Sequence, residues 1–487
     1  MSLRQNYFKY TDYVYDSVFN PGYFEAGMPM GTLGYNLGVY VQGVDLTRFE
    51  QETNGLAFKG SITDQIVRNH LLKAGVEFEY SAMSFGTPGT LVMATVNGVQ
   101  KLQAFVNNPN YPGVQTYHPI SAATYLEDVA EWKDVSVHAG LRFEYFDARS
   151  TVPSDLQNPS NSIQGAPLSV PIRTTKKIDI VPRLGVSFPV ITNGSVYFSY
   201  GHFYQMPGLA NLYSSANYAI LKDLQAGSYN YGVGIMGNPD LKPEFTTQYE
   251  FGFKAELTNY LGTDLSVFYK DIRNLLGIQF ISTYNDAIYA RYTNVDFGNV
   301  SGFTISLIER NIGAIHTTID YTYQVATGNS SNPMETFNRI QAGYEARPTV
   351  QPLDWDQRHT LNTTVSLIQP DDYSITGILR FQSGVPYTPQ NLSVLGGQLE
   401  PNSGRKPGSV IVDLLLEKYL SLGPVRLSVF ARVYNLFDTN FSNGFVFTST
   451  GSVDYSLNPT GDAVALADPS RFYQPRRIEI GLSLRNL

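Results

Sequence analysis

The 487-residue chain contains no cysteine, so disulfide staples and thiolate metal sites are excluded. Charge is scarce as well: Asp, Glu, Lys and Arg make up only 16% of the residues, against roughly 25% in ordinary soluble domains. The formal net charge of -8 provides no basic stripe to neutralise phosphates, which excludes nucleic acid as a partner. No apolar run reaches the roughly 18 residues a membrane helix needs. The opening stretch MSLRQNYFKYTDYVY has no apolar core of the kind a signal peptide carries. Tryptophan is rare, with 2 residues, while 34 Tyr and 28 Phe dominate the aromatics. Helical periodicity is almost missing, so helix bundles are excluded too.

What replaces it is alternation. In 478–484 (IEIGLSL), Ile478, Ile480, Leu482 and Leu484 share one face, with Glu479, Gly481 and Ser483 on the other. In 135–145 (VSVHAGLRFEY), Val135, Val137, Ala139, Leu141 and Phe143 oppose Ser136, His138, Arg142 and Glu144. The same period of two recurs at 194–204, 245–257, 262–270, 314–325, 359–367, 374–382 and 427–434. Short turns at 132–134, 191–194, 258–261, 309–313, 369–372 and 421–424 alternate with long Gly/Asn/Ser/Pro/Tyr-rich segments at 86–118, 150–176, 207–243, 327–356, 385–407 and 438–474.

In hydrocarbon every backbone N–H and C=O must be paired within the protein, so only helices and closed sheets can span it. An up-and-down barrel meets that demand with lipid-facing apolar residues, polar residues inside, tight turns on one side and long loops on the other. A soluble sandwich or propeller also alternates. The low charge, strands near ten residues and loops on every second connection favour the membrane barrel. The expected fold is therefore all-β, a transmembrane antiparallel up-and-down β-barrel with about sixteen strands. The first strand is expected near 35–47, residues 1–34 form a partial strand and turn region, and the barrel occupies 35–487.

Three motifs carry a resemblance. VYNLFDTNF (433–441), NPDLKPEFTTQYEFGFK (238–254) and the closing PRRIEIGLSLRNL (475–487) resemble signatures of TonB-dependent outer-membrane receptors. NHLLKAGVEFEY (69–80), VPRLGVSFPV (181–190), WDQRHTL (355–361) and QSGVPYTP (382–389) resemble the large-barrel branch whose members carry a carboxypeptidase-regulatory-like domain. In both leading motifs the residues themselves read as structural. Asn435 and Asp438 can hydrogen-bond a turning backbone, with Leu436 and Phe437 at interface depth. Pro239 and Pro243 suit a strand start, beside Asn238, Leu241, Lys242 and Glu244.

The resemblance implies a twenty-two-strand barrel, a plug domain, a TonB-contacting segment and a signal peptide. None of the last three is visible, so the chain is expected to be a C-terminal barrel portion lacking its plug. The final strand has Asn486 and Leu487 where the family places an aromatic. The implied setting is the Gram-negative outer membrane, with long loops outside, a periplasmic C-terminus and lipid around the wall. The implied function is TonB-energised uptake of a scarce bulky solute of siderophore, oligosaccharide or peptide class, the TonB complex acting only through a plug. A passive diffusion porin, or a barrel that binds export or assembly partners, are the alternatives.

Solute contacts are expected from aromatic and cationic residues of the long loops: Tyr213, Tyr218, Tyr229, Tyr231, Tyr387, Arg405 and Lys406. Tyrosine offers a rigid face with a polar tip. Nothing nominates an enzyme, a cofactor or a metal. His70, His118, His138, His202, His316 and His359 are scattered without ligand spacing, no Gly-x-Ser-x-Gly elbow occurs, and GVGIMG (232–237) precedes no helix.

Overall fold

The computed structural model describes residues 1–13, 48–86, 90–96, 99–106, 113–222, 234–341, 349–390, 400–423 and 425–486. Among these residues sixteen long strands form one antiparallel meander. They open with β1 (Ser2–Asp12), β2 (Phe49–Val67), β3 (His70–Gly86), β4 (Ile120–Trp132) and β5 (Val135–Asp147). Next come β6 (Lys177–Ile191), β7 (Gly194–Gln205), β8 (Glu244–Thr258), β9 (Leu261–Ser282) and β10 (Ile288–Ile312). The wall ends with β11 (Ile315–Gly328), β12 (His359–Gln369), β13 (Tyr373–Gln382), β14 (Ser409–Leu422), β15 (Val425–Tyr434) and β16 (Arg477–Asn486). Each pairs with the next in sequence, from Ser2 opposite Lys59 to Val425 opposite Asn486. Among the described residues no ladder joins β1 to β16.

The first strand of the wall is thus Ser2–Asp12; the expected strand at 35–47 lies outside the described residues. The other strands follow the alternation closely, because a one-residue slip would send every apolar side chain to the polar face. On β16, Ile480 and Leu482 are 78% and 70% exposed, as is Ile180 on β6, at 63%. Side chains so apolar and so open are stable only against lipid. The opposite, lumen-side face carries the charges: Glu77, Arg142 and Glu144 form one cross-strand network, and Arg380 pairs with Asp413 in another.

One connection departs from the long–short pattern. Five residues join β9 to β10, yet those strands run 22 and 25 residues, about twice the 9–11 needed to cross hydrocarbon. Here the projection beyond the membrane is made of paired ribbon, interrupted by a bulge between Ile272 and Leu275. The described parts of the other long connections pack over the same strand ends. They include the helices α1 (Leu209–Tyr213) and α2 (Pro333–Gln341). Two apolar clusters hold this layer, one around Leu212, Tyr213 and Leu241, the other around Tyr218, Met236 and Tyr289.

Candidate functional site

The loop layer is organised by the motif residues. Asn238 is buried. Its Oδ1 accepts from Asp240 N–H at 3.0 Å and Arg291 Nη2 at 2.6 Å, while its Nδ2 donates to Tyr292 O at 3.0 Å. Asp240 accepts from Thr175 Oγ1 (2.6 Å) and Lys177 Nζ (2.7 Å), tying this connection to the one before β6. Burial pushes the Asp240 carboxyl up, but the bonds from Lys177 and Thr175 outweigh it and leave the group below its ordinary value. Leu241 packs into the Tyr213 cluster. Lys242 exchanges backbone bonds with the Asn294 side chain, and Glu244 Oε1 accepts Leu276 N–H at 2.9 Å. Pro239 is fully buried.

At the end of β15 the chain turns on two left-handed residues, Asn435 and Asp438, both at φ 52°. Asn435 Oδ1 accepts Thr439 N–H at 2.9 Å, and its Nδ2 donates to Thr439 O and Gln474 O at 3.1 Å each. Asp438 accepts Arg476 N–H at 2.8 Å. Leu436 N–H reaches Val412 O, while Phe437 stands 71% exposed. The WDQRHTL segment supplies a third clamp. Asp356 is fully buried; its Oδ2 takes Arg358 Nε at 2.8 Å and Arg405 Nη2 at 2.6 Å, and its Oδ1 takes Ala326 N–H at 2.7 Å.

Of the seven solute contacts expected from sequence, Tyr229 and Tyr231 lie outside the described residues. Tyr213 is 1% exposed, stacked 4.2 Å from Tyr117 with its hydroxyl donating to Ala148 O. Tyr218 is buried against Tyr289, and burial pushes its hydroxyl up to about 12. Tyr387 is half-buried over Gly404. Arg405 is held by Asp356, and Lys406 Nζ donates to Gly444 O at 2.6 Å. Of the five described residues, Tyr213 and Tyr218 pack the loop layer, while Arg405 and Lys406 tie connections together, Arg405 remaining exposed.

Two concave regions went unread in the sequence. One, of about 380 Å³, is lined by Ser331, Asn332, Glu335, Asn338, Arg339, Asp354, Thr388 and Asn402 in the loop layer. Its signal was the polar run GNSSNP (328–333). Burial, and then the neighbouring Glu335, raises the Asp354 carboxyl there. The other, of about 470 Å³, opens on the lumen face between β3 and β7. Among the described residues no group of His, Asp and Glu is placed to hold a metal.

The sequence family described as "TonB dependent receptor-like, beta-barrel" matches residues 2–436. The chain belongs to that family. This receptor barrel also resembles solved structures in fold. The FrpB iron transporter from Neisseria meningitidis matches at 14% identity and TM-score 0.55, over 91% of this chain and 56% of that one. The copper transporter OprC matches at 15% identity and TM-score 0.55, over 90% and 57%. The outer membrane transporter YddB from Escherichia coli matches at 14% identity and TM-score 0.59, over 84% and 54%. The receptor barrel thus spans about half the length of the structures it matches. No curated protein sequence matches it.

Proposed function

We propose that this barrel serves TonB-energised uptake of a scarce bulky solute across the Gram-negative outer membrane, with its long connections outside and its C-terminus in the periplasm. Membership of the receptor family carries the reading. Fold relatives named as iron and copper transporters are consistent with a scarce cargo. The loop layer supports capture, because three independent clamps on Asn238, Asp356 and Asn435 pre-organise it and lower the ordering cost of binding. Asn and Asp side chains around α2 offer hydrogen bonds to an oxygen-rich solute. Energy coupling runs through a plug that contacts TonB.

A passive sixteen-strand pore would need β1 hydrogen-bonded to β16, and among the described residues these edges are not paired. The test is whole-cell accumulation of a ferric catecholate, a copper salt and maltohexaose, by cells carrying the protein with and without active TonB. Uptake of at least one probe that vanishes with TonB is the expected result. Equal accumulation in both strains overturns the reading in favour of a passive pore.

A further inference from the structure

Arg183 stands on the lumen face of β6 with glycine on each side: Gly201 is its cross-strand partner on β7 and Gly140 its partner on β5. Neither direct partner therefore places a side chain against the guanidinium; Phe203, two residues along β7, does, and its ring also lies over Gly201. Gly185, two residues on, continues the same trough. The trough floors the lumen cavity of about 470 Å³, whose walls include Lys73, Tyr125, His138, Arg142 and Phe203. That volume suits a small-molecule site.

The charges around it are unequally matched. Arg142 is committed to Glu77 at 3.0 Å and Glu144 at 2.5 Å, and Glu77 also holds Lys59 at 3.4 Å. Glu127 stands opposite Lys73 in register without an ion pair closing between them. Arg183 has no carboxylate within ion-pair distance among the described residues. It lies instead against the Phe203 ring, 5.0 Å from the guanidinium carbon. Lys73 likewise lies over the Tyr125 ring, at 5.8 Å. A planar fork of donors with no anion, flanked by the Phe203 ring over Gly201 and by the uncovered Gly140 and Gly185, is shaped for a flat anion.

We infer that this trough binds a small aromatic carboxylate, the carboxylate forked on Arg183 with Lys73 nearby and the ring lying over the glycine floor beside Phe203. The site is a lumen subsite separate from the loop layer. It extends the uptake reading to a class of solute or solute moiety, yet its test reads equilibrium binding and needs neither TonB nor transport. A failure of energised uptake therefore leaves it standing, and its own failure leaves the uptake reading intact.

The experiment is calorimetric titration of the full chain, folded in detergent, with benzoate, inorganic phosphate and neutral benzyl alcohol. Benzoate is expected to bind more tightly than either comparator. Arg183→Gln should weaken benzoate about tenfold, and Arg183→Lys should restore only part of that loss, because a point charge replaces a fork. Phe203→Leu should weaken benzoate while leaving phosphate unchanged. Circular dichroism verifies that each variant keeps its strands, and the lysine variant keeps the test decisive if Arg183→Gln does not fold. Benzoate affinity unchanged in folded Arg183→Gln and Arg183→Lys overturns the proposal. So does phosphate binding as tightly as benzoate, or no benzoate binding to the unaltered chain.

Discussion

The ring of Phe430 lies across Gly481, its direct cross-strand partner on β16, so closely that a Cβ on residue 481 would fall within the ring. Tyr125 over Gly75 and Tyr197 over Gly252 repeat the relationship, each again as direct partners. Glycine weakens a strand, and an aromatic ring laid over it covers the exposed backbone and pins the register. All three pairs are on the lumen face, where they flatten bulky rings against the wall. Gly252→Ala in central β8 should therefore displace Tyr197 and cost about 1–3 kcal/mol by overpacking. Removing the ring with Tyr197→Ala should relieve most of that cost, so the double variant is less destabilised than the sum of the singles. Urea unfolding of the barrel in detergent checks both the size and the sign of this coupling.

The clamp on Asp356 makes a sharper demand. A fully buried carboxylate joins Arg358, Arg405 and the Ala326 amide. Asp356→Asn keeps the shape but leaves two guanidinium groups without their counter-charge, at a cost of about 2–3 kcal/mol. The loss is local to the connections at 349–358 and 400–408, so limited proteolysis there should accelerate while the strand content is kept.

How legible was this in the sequence? The alternation at Ile478, Ile480, Leu482 and Leu484, or at Val135 to Phe143, marks strands because lipid imposes a strict period of two. Ser2–Asp12, SLRQNYFKYTD, was harder to place: its two faces are similarly polar, so only pairing with β2 identifies it. The β9–β10 ribbon hid its length because beyond the membrane the same alternation no longer has lipid to answer to. Two of the loop tyrosines, Tyr213 and Tyr218, are buried for a physical reason. A large ring with a polar tip suits a ligand, and equally suits the core of a loop layer, where Tyr213 and Tyr218 are found. Arg183 was visible as a residue, but its isolation depends on Gly140 and Gly201 meeting it from two other strands.

The Asp240 carboxyl predicts a pH dependence with a definite sign. Its pKa is lower in the folded protein than its ordinary value of 3.8, despite burial, because Lys177 and Thr175 donate to it. The stabilisation is thus present above the unfolded value and is lost as pH falls through the lower folded value. Hydrogen exchange of Thr175 N–H, which donates to Asp240 Oδ1 at 2.8 Å, should show strong protection at pH 6. The protection should decline below pH 4. In Asp240→Asn it should be weak at pH 6 and should not fall further with acid. Equal pH profiles for the two proteins would exclude the linkage.

The turn at Asn435 separates two contributions that the Asn-Leu-Phe-Asp motif combines. Its backbone is left-handed, at φ 52°, and its side chain spans Thr439 and Gln474. Asn435→Gly keeps the backbone freedom and removes the side-chain bonds; Asn435→Ala removes both. The alanine variant should cost about 2–3 kcal/mol and the glycine variant about 1 kcal/mol less. Because Gln474 leads into β16, both should also loosen the entry to the final strand. Refolding into detergent, followed by the shift between folded and heat-denatured bands on a gel, reads the difference. Equal losses would assign the motif wholly to its side-chain hydrogen bonds, and a glycine variant as stable as the unaltered chain would assign it wholly to backbone conformation.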